Sequence, residues 1–528
     1  MEPIDQMKDI PSTVSGRQWS LAAKLLDFDC AGVVNFRSPY SIEILNNLLA
    51  RLQTKIWSGD YLTDGDNSLQ VFRALMPRWC AMTLYLLQLR LIEERSVVES
   101  LKPLVTPEAF PTLEAYLRGD MLPDHDIIGY LLSGANDPEI WRWPIRMFLW
   151  RNRIIKRCPK GLVSPTDTLV SAYSTSLDKW LKREQLRPVM WEPSWFFSPL
   201  DKMKLSTEEQ QGRIESLIEF IDQEATAIGV PLGERDKIWL MRQFSVSAAA
   251  ARAHLMNALK ADISIPKNFL SAASGTMWDR LMRIAVKKNG GHVTGFEHGC
   301  GLGFQGNATP YYSDWFNCDR YVSRSRLSMR LIEEANHIYK DLPIAVPVID
   351  PTDISGDDEK KANPISRLLN AGTPTVMFVP FGTSGERARG GVLPPDITAV
   401  DFNARCVGLL KEMGFNIFIK PHPVDQGPGI DAYKDKLKIE GTNALFEDVL
   451  DQADLVITCD PRSTTTIVTI NAGIPIVILD IEIPVLAPAL LRWIKERANV
   501  VRCHFNEDER IEMDMLAFRE LLSGYLQS

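Results

Sequence analysis

Apolar positions recur at three- and four-residue spacing through the first half of the chain, and the period then changes. Between about 40 and 285 the pattern predicts mainly helices, among them 41–57, 68–100, 206–227 and Glu234–Lys260, each with one apolar stripe. Ser206 with Glu209 three residues on spells a capping box at the start of the third. From about 290 onward, short apolar runs bounded by glycine and proline predict strands at His292–Phe296, 320–323, 344–348, Thr375–Val379, Asn416–Ile419, Leu455–Thr458, 476–479 and 500–503. Helical stretches at 403–413, 444–452 and 463–471 fall between several of these. Strands alternating with helices imply βαβ units and a parallel sheet, so the fold class is α/β.

The polar segment PTDISGDDEKKAN, within 350–363, is the best linker, and the 364–528 stretch after it has the size of one Rossmann-like domain. At 528 residues the chain has room for two to four domains, and a 24% charged, 45% hydrophobic composition excludes a disordered class. A net charge of −8 argues against binding nucleic acid through phosphates. The eight cysteines are scattered without a C-x-x-C pair, so neither a zinc ribbon nor a disulfide framework is expected. No signal peptide or apolar run long enough to cross a bilayer is legible, which predicts a cytoplasmic protein. The segment 141–160 has seven basic residues, three tryptophans and no acid. It reads either as a peripheral contact at the inner face of the cytoplasmic membrane or as a partly buried helix whose arginines pair elsewhere.

Four loops carry candidate chemistry. Lys420-Pro421-His422-Pro423 follows a strand directly, and its prolines pin an imidazole at the carboxyl edge of the sheet, where His422 can donate to a phosphate. Asp460-Pro461-Arg462-Ser463-Thr464-Thr465-Thr466 opens a helix; free N–H groups, hydroxyls and Arg462 there make an anion site, or else a plain N-cap. About forty residues separate His422 from Ser463, room for one α/β unit, which would let the two loops sit side by side. The loop from Phe381 to Gly391, with Gly382, Thr383, Ser384, Arg387 and Arg389, suits close approach to a phosphate or carboxylate. Finally, Glu297-His298-Gly299-Cys300-Gly301-Leu302-Gly303 follows a strand, and Gly301 to Gly306 spells G-x-G-x-x-G. No helix can start at Asn307-Ala308-Thr309-Pro310, so a nicotinamide or flavin site is rejected. What remains is a glycine loop displaying Glu297 and His298 as a base or positioning pair. The D-x-D pairs Asp27/Asp29, Asp64/Asp66 and Asp124/Asp126 follow no convincing strand, and no metal site is expected.

Taken together, an HG loop, K-P-H-P, and S-T-T-T before a helix ending in A-G-I-P resemble GT-B-type glycosyltransferases of bacterial surface-carbohydrate synthesis. Transferases with a Q-H-G-G-x-Y-G loop are the nearest in pattern, although a glutamine stands there in place of Glu297. Residues 70–94 loosely resemble that group's N-terminal stretch; polysialyl-, Kdo and polyglycerolphosphate transferases share the motifs more distantly. The resemblance implies two Rossmann-like domains facing a cleft, with a large helical N-terminal elaboration. Residues 1–349 would form the acceptor side and 364–528 the nucleotide-sugar side. It implies metal-independent transfer with no cofactor beyond a nucleotide-activated co-substrate, a CMP-activated acidic sugar of nonulosonate or Kdo type. The acceptor would be a surface glycan, a lipid-linked glycan or a protein. Lys420, His422, Pro423, Arg462, Ser463, Thr464 and Thr465 would then hold the donor with the Gly382–Arg387 loop. Glu297, His298 and His422 would be catalytic, and Gly299, Gly301, Gly303, Asp64 and Asp66 would lie on the acceptor side. A CDP-polyol phosphotransferase, a GT-B-fold sugar-nucleotide epimerase and a non-catalytic sugar-nucleotide-binding scaffold are the competing readings.

Overall fold

The computed structural model describes residues 42–59, 67–98, 168–170, 175–186, 189–190, 208–260, 265–272, 277–297, 314–323, 326–338, 348–349, 373–381, 396–421, 438–442, 444–461, 463–481, 486, 488–506 and 510–527. They form two mostly parallel sheets, each with helices in its crossovers.

The first sheet has six strands in the order β2-β1-β3-β4-β5-β6, all parallel. These are β1 (Thr168–Val170), β2 (Val189–Met190), β3 (Asn268–Ser271), β4 (His292–Phe296), β5 (Arg320–Val322) and β6 (Val348–Ile349). The predicted helices appear as α1 (Ile42–Ser58), α2 (Asn67–Val98), α4 (Glu208–Ala227) and α5 (Glu234–Lys260), joined by α3 (Thr175–Arg183) and α6 (Met277–Lys288). The stretch expected to be mainly helical therefore also carries β1, β2 and β3. These strands are 3, 2 and 4 residues long, too short to print a period of their own.

Alternation along the strands sorts side chains to two faces. Leu169, Phe269 and Val293 join the helical core, in which Trp79 stacks on Phe244 at 4.5 Å and donates to Ser247 Oγ at 2.9 Å. Val170, Leu270, Phe296 and Val322 face Leu177 and Leu181 of α3. Pro77 interrupts the long helix α2 and removes one backbone donor; the buried Arg280 of α6 supplies a guanidinium N–H to Ala74 O at 3.1 Å nearby.

The second sheet has the order β13-β12-β11-β10-β7-β8-β9. Its strands are β7 (Thr375–Val379), β8 (Asn416–Ile419), β9 (Glu440–Gly441), β10 (Leu455–Thr458), β11 (Ile476–Asp480), β12 (Asn499–Phe505) and β13 (Ile511–Met513). All neighbours are parallel except β12 and β13. Both faces are covered, as a parallel sheet requires. Val376, Phe378, Ile457 and Val477 pack under α8 (Asp396–Glu412) and α12 (Met515–Gln527). Met377, Val379, Val456 and Ile478 pack under α9 (Phe446–Val449), α10 (Thr464–Asn471) and α11 (Pro488–Lys495). Leu327 and Leu331 of α7 (Arg326–Ile338) belong to this same cluster, although α7 follows β5 of the first sheet. Among the described residues, no helix is long and apolar enough to cross a membrane. The linker 350–363 and the basic segment 141–160 lie outside the described residues.

Candidate functional site

The second sheet reverses direction at β7. The crossover through α8 leads outward to β8, whereas the later crossovers build β10, β11 and β12 on the other side and use the opposite face. Such a switch point leaves a crevice outside the carboxyl ends of the two central strands, here β7 and β10. The ladder fixes the levels: Lys420 N–H donates to Phe378 O at 2.9 Å and Cys459 N–H to Val379 O at 3.2 Å. The loops after β8 and β10 thus leave one edge at nearly one height. They are not side by side, because β7 lies between them; with strands ~4.8 Å apart they start on the order of 10 Å from each other. The loop after β7 begins between them, at Phe381.

Ser463 caps α10. Its backbone is extended, and its Oγ accepts from Thr465 N–H at 3.3 Å and from Thr465 Oγ1 at 2.7 Å. Thr466 is buried, and its hydroxyl donates to Asp460 O at 3.1 Å, tying the first turn to the end of β10. The expected N-cap is therefore present, and its stiffness fixes where the first-turn N–H groups point. At the other end Gly473, with φ of 70°, lets Ile474 N–H return to Thr469 O at 3.3 Å.

Lys420 is the more telling residue. It is 3% exposed, and its ammonium curls forward over the strand end to donate to Pro421 O at 2.8 Å. Among the described residues that neutral carbonyl is its only hydrogen-bond partner. Burial pulls its pKa below the usual lysine range, and the field of Glu447 opposes this only in part. Among the described residues, one carbonyl and the field of Glu447 leave this buried cation, at the edge where the switch point opens, short of a full counter-charge.

In the first sheet, Glu297 follows β4 and is fully buried. Its N–H donates to Val322 O at 3.0 Å, and its Oε2 accepts from Ser323 Oγ at 3.4 Å. Strand alternation puts it on the face shared by Gly295 and Tyr321, beneath which Arg283 donates to Ser271 Oγ at 2.8 Å and to Phe316 O at 2.9 Å. Gly295 is required there, since a Cβ would lie 2.7 Å from the Tyr321 ring.

His298, Gly299, Gly301 and Gly303 lie outside the described residues, as do Gly382, Thr383, Ser384, Arg387, Arg389, His422, Pro423, Arg462, Asp64 and Asp66. The other D-x-D acids, Asp27, Asp29, Asp124 and Asp126, fall outside them too, with Ser206 of the expected capping box.

Sequence reasoning missed Asn403 of α8, which is fully buried and bonds both backbone groups of Phe381. The signal was available. Ala399, Phe402, Cys406, Val407 and Leu410 form one buried stripe, and a polar residue interrupts it at 403.

No family model matches the chain, and no curated protein does. Among solved structures the chain is similar to SsfS6, a glycosyltransferase of Streptomyces sp. SF2575, at 12% identity and a TM-score of 0.25. The match covers 71% of this chain and 91% of that one.

Proposed function

We propose that the protein is a glycosyltransferase that holds a nucleotide-activated sugar at the carboxyl edge of its second sheet. The observation that carries this reading is the placement, along one sheet edge on either side of β7, of a buried ammonium, Lys420, and the capped N-terminus of α10. Both favour an anion, and the switch point supplies the crevice a nucleotide needs. In the reaction the sugar–phosphate bond breaks and negative charge grows on the departing phosphate. Preorganised donors aimed at that charge lower the barrier without moving in the transition state. Lys420, the α10 N–H groups, His422, Arg462 and Arg387 are the proposed donors, and their summed charge suits a transfer that needs no divalent ion.

The proposed donor is a CMP-activated acidic sugar of nonulosonate or Kdo type, and the proposed acceptor a surface glycan or protein. The acceptor would enter across a cleft from the first sheet, where Glu297, next to His298, is the candidate base. Its burial and its Ser323 hydrogen bond suit a positioning role equally well. Glu297→Gln separates the two, because glutamine keeps size and hydrogen bonding but removes the base. A base predicts a fall in turnover of about 10²–10⁴-fold with binding kept; full activity would move the search to Asp64 and Asp66.

Product analysis tests the activity itself. CMP-activated sugar and a glycan acceptor should yield free CMP and a glycosylated product by mass spectrometry. A glycerol- or ribitol-phosphate linkage from a CDP-polyol, an isomerised sugar nucleotide, or no turnover would each overturn the assignment.

A further inference from the structure

We propose that Asn403 is a positioning residue that holds the two strand ends flanking the switch point at a fixed spacing, and so sets the geometry of the nucleotide crevice. This inference rests on the reading of that edge as a nucleotide site. Asn403 lies on α8 and is fully buried. Its Oδ1 accepts from Phe381 N–H at 3.1 Å, and its Nδ2 donates to Phe381 O at 3.3 Å. The same Oδ1 accepts weakly from the Cys459 thiol at 3.8 Å. Phe381 is the last residue before the glycine-rich loop from β7, and Cys459 is the first residue after β10. One amide therefore ties the starts of both loops to the helix that makes the first crossover.

The chemistry calls for an amide. Phe381 leaves its strand at the sheet edge, where no strand among the described residues pairs with it, and presents one donor and one acceptor. A carboxylate could not donate to Phe381 O, and an aliphatic side chain would leave both groups unpaired in the core. Burial holds the Cys459 thiol protonated, so it stays a donor. Phe381 itself is anchored in the α8 cluster, with its ring 5.7 Å from that of Phe402, so its side chain stays packed when the amide is removed. Loss of the amide should therefore loosen the backbone path rather than unfold the domain.

The experiment compares Asn403→Leu and Asn403→Ser with Val407→Ala, a fully buried change one turn along the same helix that leaves the Asn403 amide in place. Calorimetric titrations with CMP and CDP and amide hydrogen exchange are run on the full chain. In Asn403→Leu, nucleotide affinity should fall by about 10–100-fold, the effect of roughly an ångström of misplacement. Exchange of the Phe381 amide should quicken by at least about tenfold. Asn403→Ser, whose hydroxyl can serve one of the two Phe381 groups, should fall between. Val407→Ala should lose stability but keep affinity within about twofold, because stability and crevice geometry are separate quantities. Wild-type affinity in Asn403→Leu, or an equal loss in Val407→Ala, overturns the proposal. If the wild-type chain binds none of CMP, CDP, UDP and GDP, it is the nucleotide reading that fails. The clamp is then decided by exchange alone: faster exchange at Phe381 in Asn403→Leu but not in Val407→Ala upholds it, and equal exchange overturns it.

Discussion

Lys420→Met should strengthen the fold, or cost it no more than about 1 kcal/mol, while weakening nucleotide binding. Among the described residues the wild-type ammonium, 3% exposed, donates only to Pro421 O, and the field of Glu447 offsets its desolvation only in part. Replacing such a group by an apolar side chain of similar length is neutral or stabilising by about 1–4 kcal/mol. Losing the hydrogen bond to Pro421 O offsets this by about 1 kcal/mol, leaving a net change between about −1 and 3 kcal/mol in favour of the fold. A hydrogen bond from a charged donor to bound phosphate contributes about 1.5–3 kcal/mol, so affinity should fall by about 10–150-fold. Chemical denaturation measures the first quantity and CMP calorimetry the second. A variant that loses several kcal/mol of stability yet binds CMP unchanged would make Lys420 a structural lysine. The pH dependence adds a sign. Because burial lowers the folded-state pKa, the unfolded chain binds more protons between that value and the ordinary one, so through that window stability gains with rising pH. Nucleotide affinity should fall across the same window in the wild type and stay flat in Lys420→Met.

Three further outcomes can be checked. Ser463→Ala combined with Thr464→Ala should weaken CMP and CDP binding by about 1–3 kcal/mol by calorimetry, and loss of the cap should lower stability by about 1 kcal/mol; unchanged affinity would leave the loop a cap only. His422→Ala should reduce turnover by about 10²–10³-fold, the range for one preorganised donor; near-wild-type activity in a folded variant would remove it from the mechanism. His254 is 1% exposed beside Trp278, and burial holds its pKa down to about 4, so the unfolded chain binds an extra proton as pH falls from about 6.5 to about 4. That should remove about 3 kcal/mol of stability across the window, and His254→Leu should flatten the acid limb of a melting-temperature profile.

The centre of the second sheet was legible because β7, β8, β10 and β11 are apolar runs of four or five residues, and Thr375–Val379, Asn416–Ile419 and Leu455–Thr458 match their predicted bounds, whereas β9 and β13, two and three residues long, were not predicted. The first sheet was half hidden. Val189–Met190 has two residues and Thr168–Val170 three, and a period cannot be read from so few positions when long amphipathic helices surround them. Strand order was not legible either, since sequence separation alone does not reveal that β7 lies between β8 and β10. At the site, K-P-H-P drew attention to the imidazole, while the burial of Lys420 depends on how its side chain folds over Pro421. Asn403 left a trace, a polar break in an apolar stripe, which helical periodicity can detect but whose partners only the fold supplies.

The nucleotide is proposed to sit at the carboxyl edge of the second sheet, between β7 and β10. Hydrogen exchange with and without saturating CMP tests it most directly, with CDP, UDP and GDP run in parallel. Bound nucleotide should slow exchange in peptides spanning 379–390, 420–423 and 459–466 and leave the strands of the first sheet unchanged. Protection confined to the first sheet, or no protection by any of the four nucleotides, would contradict it.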